Sequence, residues 1–224
     1  MGVIPGDPDL EHPTRRDGML QGVSVIRPAQ AGDVAAIVHV HLQSFPGFFL
    51  TFLGPKFLEV LYLKTIEQPD SINYVALGDS ARVIGFAVGV TSQGRFYNRL
   101  IRKHLISFAW ASLGGVLRRP SILPRLMRSL NRPSEAQERS ADCLLMSLAV
   151  HPSAQGTGTG SKLVLAFLKE AGRRGARLVS LTTDRAGNKR ANRFYESLGF
   201  TLAQTYVTPE GRPMNEYIVE LPSA

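Results

Sequence analysis

The sequence contains only one cysteine and no long apolar run among its 224 residues. The single thiol, Cys143, excludes an intramolecular disulfide and suits a reducing compartment. Because Cys143 opens a predicted strand, we expect a small buried side chain rather than a nucleophile. No stretch approaches the roughly 18 apolar residues of a transmembrane helix, and the first residues lack the apolar core of a signal peptide. We therefore expect a cytoplasmic protein with a sizeable hydrophobic core.

Acidic residues are missing from one stretch of the chain. Between Arg95 and Arg132 there are nine Lys or Arg and no Asp or Glu, whereas the rest of the chain carries 17 basic and 18 acidic residues. The net charge of +8 therefore belongs to one segment. Leu105 to Leu117 has no charge, is too short to span a bilayer and predicts a buried or interfacial helix. A second helix is predicted from about Pro124, with three arginines on one side: Arg125, Arg128 and Arg132.

A glycine-rich loop is the most informative feature that is present. It follows a predicted buried strand, Leu144 to Val150, and precedes a run with helical apolar spacing from Leu163 to Ala171. Glycines let the backbone approach a ligand, and the free amides of a helix start attract anions. The spacing of Gly156, Gly158 and Gly160 fits neither a Walker A loop nor a dinucleotide loop.

Gln155, Gly158 and Gly160 instead match the pattern Gln/Arg-x-x-Gly-x-Gly/Ala. A second motif, Asn188 to Phe200, contains Asn, Ala, Phe-Tyr and a closing Gly-Phe in order, with a plausible strand before it. Together the two motifs resemble the signature of the GCN5-related N-acetyltransferase (GNAT) superfamily. The resemblance is detailed over residues 142–200 and looser over residues 23–91.

The order of predicted elements agrees with that resemblance. One strand, two helices and two antiparallel strands precede a strand-helix-strand-helix unit and the closing strands. We expect an α/β fold of GNAT type, with a mixed, mostly antiparallel central sheet flanked by helices. Residues 1–22 are predicted to be a disordered tail. Residues 23–224 are predicted to form one acetyltransferase domain, with a basic helical insertion at about 95–132.

The resemblance implies acetyl-CoA as co-substrate and assigns roles to individual residues. The amides of the loop would hold the pyrophosphate, the strand before it would pair with the pantetheine arm, and Asn188 would bond the cofactor. Tyr195 lies where the family places the acid that protonates the departing thiolate. No metal is expected. The predicted cofactor-binding residues are Leu148, Ala149, Val150, Gln155, Gly156, Thr157, Gly158, Thr159, Gly160, Ser161 and Asn188.

Acceptor contacts are less determined by the sequence. Phe48 and Phe49 lie in the link between the first two helices, which helps wall the acceptor site in this family, but aromatic residues there also suit the core. Thr183, at the end of the intervening strand, is a candidate contact for acceptor or water. Some family members carry a Glu eleven residues before the loop glutamine, where this chain has Leu144. The general base therefore stays open between Asp142, Glu216 and a water relay, and an acceptor amine that is already partly neutral would need none.

These features predict an N-acetyltransferase for a primary amine of a small molecule. A basic insertion disfavours polycationic acceptors and favours an anionic one, such as an amino sugar carried on a nucleotide or lipid diphosphate. The alternatives are a protein N-terminal or lysine acetyltransferase and a non-catalytic acyl-CoA-binding module; nucleic-acid binding is disfavoured. The insertion would be solvated surface, a grip for a diphosphate, or a peripheral contact with the inner membrane face. A homodimer also stays open.

Overall fold

The computed structural model describes residues 25–46, 48–91, 96–118, 141–209 and 211–222. Seven strands form one sheet: β1 Val25–Pro28, β2 Ser71–Leu77, β3 Val83–Val90, β4 Cys143–Val150, β5 Leu178–Asp184, β6 Thr201–Val207 and β7 Pro213–Glu220. Their order across the sheet is β1-β2-β3-β4-β5-β7-β6. Every neighbouring pair is antiparallel except β4 with β5. The predicted α/β class with a mixed, mostly antiparallel sheet is confirmed.

The helices flank this sheet. They are α1 Val34–Ser44, α2 Phe49–Phe52, α3 Pro55–Ile66, α4 Phe96–Lys103, α5 Leu105–Arg118, α6 Thr159–Arg173 and α7 Lys189–Ser197. One hydrophobic cluster joins α1 and α3 to the sheet, and a second joins α6 to it. The apolar spacing of α6 puts Leu163, Val164 and Phe167 at full burial, as its sequence predicts.

The sheet is split between β4 and β5. These two parallel strands pair only from Cys143–Val179 to Leu145–Leu181, and beyond that point they diverge. We call the resulting opening the strand gap. The glycine-rich loop and α6 connect β4 to β5 in sequence. The strand gap therefore lies on the side of the sheet where α6 begins.

A bulge in β4 lies at the mouth of the strand gap. Val88 pairs with Ser147 and Gly89 with Leu145, so Met146 is an extra residue on β4. Gly89 is required beside it: a Cβ there would lie 2.2 Å from the Leu144 carbonyl oxygen. As a result Met146, Ser147 and Leu148 all line one cavity, which a regular strand with alternating side chains would not allow.

The predicted apolar helix of the insertion is confirmed as α5. It packs on α3 through Phe108, whose ring centroid lies 5.4 Å from that of Phe57. Leu105, Ile106 and Trp110 remain 57%, 75% and 74% exposed. The second insertion helix, predicted near Pro124, lies outside the described residues, as does the predicted tail of residues 1–22. Among the described helices, none combines the length and apolar character needed to cross a membrane.

Candidate active site at the strand gap

The predicted cofactor loop is held open by two left-handed glycines. Gly156 and Gly158 have φ of 83° and 79°, and an added Cβ at either position would meet no atom within 4 Å. Glycine is therefore required by backbone conformation and not by crowding. The Thr157 hydroxyl donates to the Ala154 carbonyl at 2.7 Å and lies 2.8 Å from the Thr159 hydroxyl. These bonds fix the loop just before α6.

The first turn of α6 offers free amides. Gly158 is the N-cap and has no side chain with which to cap them. The first backbone bond of the helix runs from the Lys162 amide to the Gly158 carbonyl, so the amides of Thr159, Gly160 and Ser161 precede it. The Arg190 guanidinium donates to the Gln155 side-chain oxygen at 3.1 Å. Amides, helix dipole and this cation together suit an anionic ligand.

The three residues predicted to pair with the pantetheine arm do not all face the strand gap, because backbone groups alternate in direction along a strand. The His151 amide donates to the Ile84 carbonyl at 2.8 Å, which makes Val150–Gly85 and Leu148–Ala87 the non-bonded pairs of the β3–β4 ladder. The backbone groups of Leu148 and Val150 therefore face the strand gap, while those of Ala149 face β3. The Val150 carbonyl already accepts from Ser44 and Gln155, each at 3.2 Å.

Tyr195, Asn188 and Thr183, which lie on separate elements, share one cavity. Asn188, just before α7, donates through its side-chain amide to the Thr183 hydroxyl at the end of β5. The Tyr195 ring packs edge-on against Phe194 and Phe200. Burial raises the pKa of the Tyr195 phenol to about 12, so the phenol keeps its proton at physiological pH. That protonation state is the one a proton donor needs.

The cavity fills the strand gap and has a volume of about 460 Å³. Its apolar part is formed by Phe45, Phe48, Leu50, Leu61, Met146 and Met214. Its uncharged polar part is formed by His41, Tyr62, Ser147, Thr183, Asn188 and Tyr195. Phe48 thus lines the cavity, which is the position that a contact with the acceptor would need. The side chain of Phe49, the other predicted aromatic, lies outside the described residues.

His41 is a cavity residue that the sequence did not single out. It is 2% exposed, and its Nδ1 lies 2.7 Å from the Tyr62 hydroxyl. Its ring stacks on Phe86 at an interplanar angle of 13°. Burial lowers the pKa of His41 to about 4, so the imidazole is neutral at physiological pH. Within the described part of the chain, its buried Nε2 has no hydrogen-bond partner.

Arg212 is the second residue that sequence reasoning missed. It follows the turn between β6 and β7, and its Nη2 lies 2.7 Å from both carboxylate oxygens of Asp184. Its guanidinium carbon lies 5.4 Å from the centroid of the Phe48 ring. A turn ending in an arginine gave no signal by itself, because only the fold brings it over the end of β5.

The candidate bases lie away from the cavity lining. Asp142 accepts the backbone amides of Arg177 and Leu178 at 2.7 and 3.0 Å, at the end of β4 opposite the loop. Glu216 accepts a hydrogen bond from Gln204. Cys143, predicted to be a small buried side chain, is fully buried, and burial raises its pKa to about 12. Across the described ranges, no cluster of three or more His, Cys, Asp or Glu could hold a metal ion.

Comparisons with known proteins bear on this geometry. Residues 35–200 match the profile of the family described as the acetyltransferase (GNAT) family, and no curated protein matches the chain in sequence. An N-acetyltransferase of Staphylococcus aureus Mu50 has 18% identity and a TM-score of 0.58, over 88% of this chain and 98% of its own. The ribosomal-protein-S18-alanine N-acetyltransferase of Escherichia coli has 17% identity and a TM-score of 0.55, over 89% and 95%. The polyamine N-acetyltransferase of Drosophila melanogaster, which forms N-acetylagmatine, has 17% identity and a TM-score of 0.56, over 88% and 99%.

Proposed function

Because this chain belongs to the GNAT acetyltransferase family, as the match over residues 35–200 shows, we propose that it transfers an acetyl group from acetyl-CoA to a primary amine of a small, anionic acceptor. The carrying observation is the cavity of the strand gap, which joins the edge of β4 to Tyr195 and Arg212. Such a cavity brings a donor and an acceptor to one place, which is what group transfer requires.

The residues of the glycine loop fit the donor. The amides of Thr159, Gly160 and Ser161 would donate hydrogen bonds to the pyrophosphate, and the open space above Gly156 and Gly158 leaves room for it. Leu148 and the Val150 amide, which face the strand gap, would pair with the pantetheine arm. When bound, acetyl-CoA supplies an activated thioester. The roles of Gln155, Thr157 and Ala149 are structural: they hold the loop and the strand in these positions.

Tyr195 would supply the proton for the leaving sulfur. Its phenol is protonated at physiological pH, and burial, which raises its pKa to about 12, only strengthens that state; it shares the cavity with Leu148. The amine must lose a proton before it attacks. In the described part of the chain, the cavity lining contains one carboxylate, Asp184, which is paired with Arg212. We therefore assign proton removal to water in the cavity and not to a carboxylate base.

The acceptor is proposed from charge. Polycations need several free carboxylates, whereas here the single lining carboxylate is neutralised. The nine basic residues between Arg95 and Arg132 favour a negative acceptor, such as an amino sugar on a nucleotide or lipid diphosphate. A peptide N-terminus or lysine is the second candidate, supported by the relative that acts on a ribosomal-protein alanine.

A lipid-linked acceptor would also explain α5. Its exposed Leu105, Ile106 and Trp110 lie beside the exposed Arg102 and Lys103. Apolar side chains next to cations are the composition of a helix that rests on an anionic lipid surface. Since α5 packs on α3, which lines the cavity, a membrane contact here would bring lipid headgroups near the acceptor side of the cavity.

The test is release of thiol from acetyl-CoA in the presence of amino sugar nucleotides, amino sugar phosphates, short peptides and polyamines, with the acetylated product identified by mass spectrometry. We expect the anionic amino sugars to give the highest kcat/KM. Preference for a peptide would select the second candidate. Binding of acetyl-CoA without turnover of any amine would leave the chain a non-catalytic acyl-CoA-binding module.

A further inference from the structure

Arg212 is held in a fixed position at the edge of the cavity. The Thr208 amide donates to the Arg212 carbonyl at 2.9 Å, and the Arg212 amide donates to the Thr208 hydroxyl at 3.3 Å. Gly211 between them has φ of 79°, which closes the turn. This turn carries the guanidinium over the end of β5, where Asp184 meets it.

The guanidinium is only partly used by the protein. One nitrogen, Nη2, binds both oxygens of Asp184, whereas Nε and Nη1 make no hydrogen bond to any described residue. The side chains of Arg212 and Asp184 are 35% and 32% exposed, so a ligand can reach them. Phe48 lies under the guanidinium plane on the cavity side. The pair therefore presents free donors beside an aromatic face.

Among the described residues of the lining, Asp184 and Arg212 are the only ones with a formal charge. Because Asp184 cancels one unit of charge, the cavity does not attract a polycation. An arginine can nevertheless bind two acceptors at once through different edges of its planar fork, which a lysine cannot do. Asp184 thus acts as a positioning residue that aims the remaining donors.

We infer that Arg212 binds a carboxylate or phosphate group of the acceptor through its Nη1 amino group, and that Phe48 packs against the body of the acceptor next to that group. This inference rests on the proposed function, since it names the substrate class for the same cavity. The acceptor is then an amine that carries its own anionic group, such as an amino acid or an amino sugar phosphate.

The experiment uses matched acceptors that differ in the anionic group alone: glucosamine 1-phosphate with glucosamine, and phenylalanine with phenylalaninamide. Wild-type protein should favour the anionic member of at least one pair by about 10- to 100-fold in kcat/KM, the usual effect of a hydrogen bond to a charged group. Arg212→Gln should remove that preference through KM, with the uncharged member unchanged. Which pair responds distinguishes phosphate from carboxylate.

Two further variants keep the result interpretable. Arg212→Lys should retain part of the preference, because the charge remains and the fork is lost. Arg185→Gln removes an exposed arginine next to Asp184 that does not line the cavity, and it should behave as wild type. Equal losses for both members of a pair in Arg212→Gln, or no preference in wild type, would overturn the inference.

Binding measurements separate this inference from the proposed function. Calorimetric titration of glucosamine 1-phosphate and phenylalanine into wild type and Arg212→Gln needs no turnover. Tighter binding to wild type, without acetylation, would remove the proposed function and keep the Arg212 site. Turnover with equal binding to the two proteins would do the reverse.

Discussion

The two sides of the cavity are built in different ways. The loop side comes from one continuous stretch, residues 143–197, in which β4, β5 and α7 line the cavity and the glycine loop and α6 connect β4 to β5. The opposite side is assembled from distant segments: Phe48 meets Arg212, and Ser44 bonds Val150 across 106 positions. The loop side offers the donor the backbone amides of β4 and α6, whereas the opposite side offers the acceptor side chains. A shared donor suits the first design, because backbone amides do not change with substitution, whereas an individual acceptor suits the second.

The largest effect should come from charge in the loop side. Gly158→Glu would place a carboxylate in front of the α6 amides, where the pyrophosphate is proposed to bind, and should abolish the thermal shift given by acetyl-CoA. Gly158→Ala is the matched control. Both variants incur about 1–2 kcal/mol for a left-handed L-residue, but only the glutamate adds charge. An undiminished shift in Gly158→Glu would remove the loop from donor binding.

The next largest effect should separate chemistry from binding. Tyr195→Phe removes only the phenolic proton donor, so kcat should fall by about 10²- to 10⁴-fold while the acetyl-CoA thermal shift stays. Tyr206→Phe, at another tyrosine of the cavity lining, should keep its kcat within a few-fold. Unchanged kcat in Tyr195→Phe would assign that residue to packing against Phe194 and Phe200.

His41, on the opposite side, should make the stability of the protein depend on pH. His41 has a pKa lowered by burial to about 4, so between pH 6.5 and pH 4 the unfolded chain binds a proton that the folded chain does not. Stability should therefore fall on acidification through this window, by up to about 3 kcal/mol from His41 alone. Burial also lowers the pKa of His151, which adds a fall in the same direction.

The contribution of His41 to this pH dependence can be measured by comparing variants. His41→Asn removes the titration, so its unfolding free energy should fall less steeply between pH 6.5 and pH 4 than that of wild type, measured by urea titration. Gln43→Asn, at an exposed position of the same helix, should keep the wild-type slope. Parallel slopes for all three proteins would show that His41 is protonated in the folded state without cost.

The smallest effect should be at the exposed apolar side of α5, where a membrane contact is proposed. Ile106→Ser with Trp110→Ser removes two exposed apolar side chains and should reduce sedimentation with phosphatidylglycerol vesicles by about tenfold or more. Leu165→Ser on α6, 56% exposed in wild type, is the control and should have no effect. If the wild-type protein does not sediment with these vesicles, α5 faces water or another protein.

The same contrast explains what the sequence could predict. The loop and α7 could be predicted because their signals lie close together in the chain: the glycine spacing, the periodicity of the strand and helix, and the motif that contains Tyr195. Arg212 was not, since its position depends on how the β6–β7 turn sits against β5. His41 was not predicted as a site residue, because its partner Tyr62 lies on another helix. The bulge at Met146 left no mark, because an extra residue in a buried strand looks like any other apolar residue.

The split sheet has a mechanical consequence. The sheet has two parts, β1–β4 and β5–β7, which are joined by only three residue pairs of β4 and β5. The rest of the boundary between them is the strand gap. A donor bound in the strand gap would contact both parts of the sheet and restrict their motion relative to each other. Amide hydrogen exchange should then slow in β4 and β5 together when acetyl-CoA is added, and the protection should be greatest where the two strands line the strand gap.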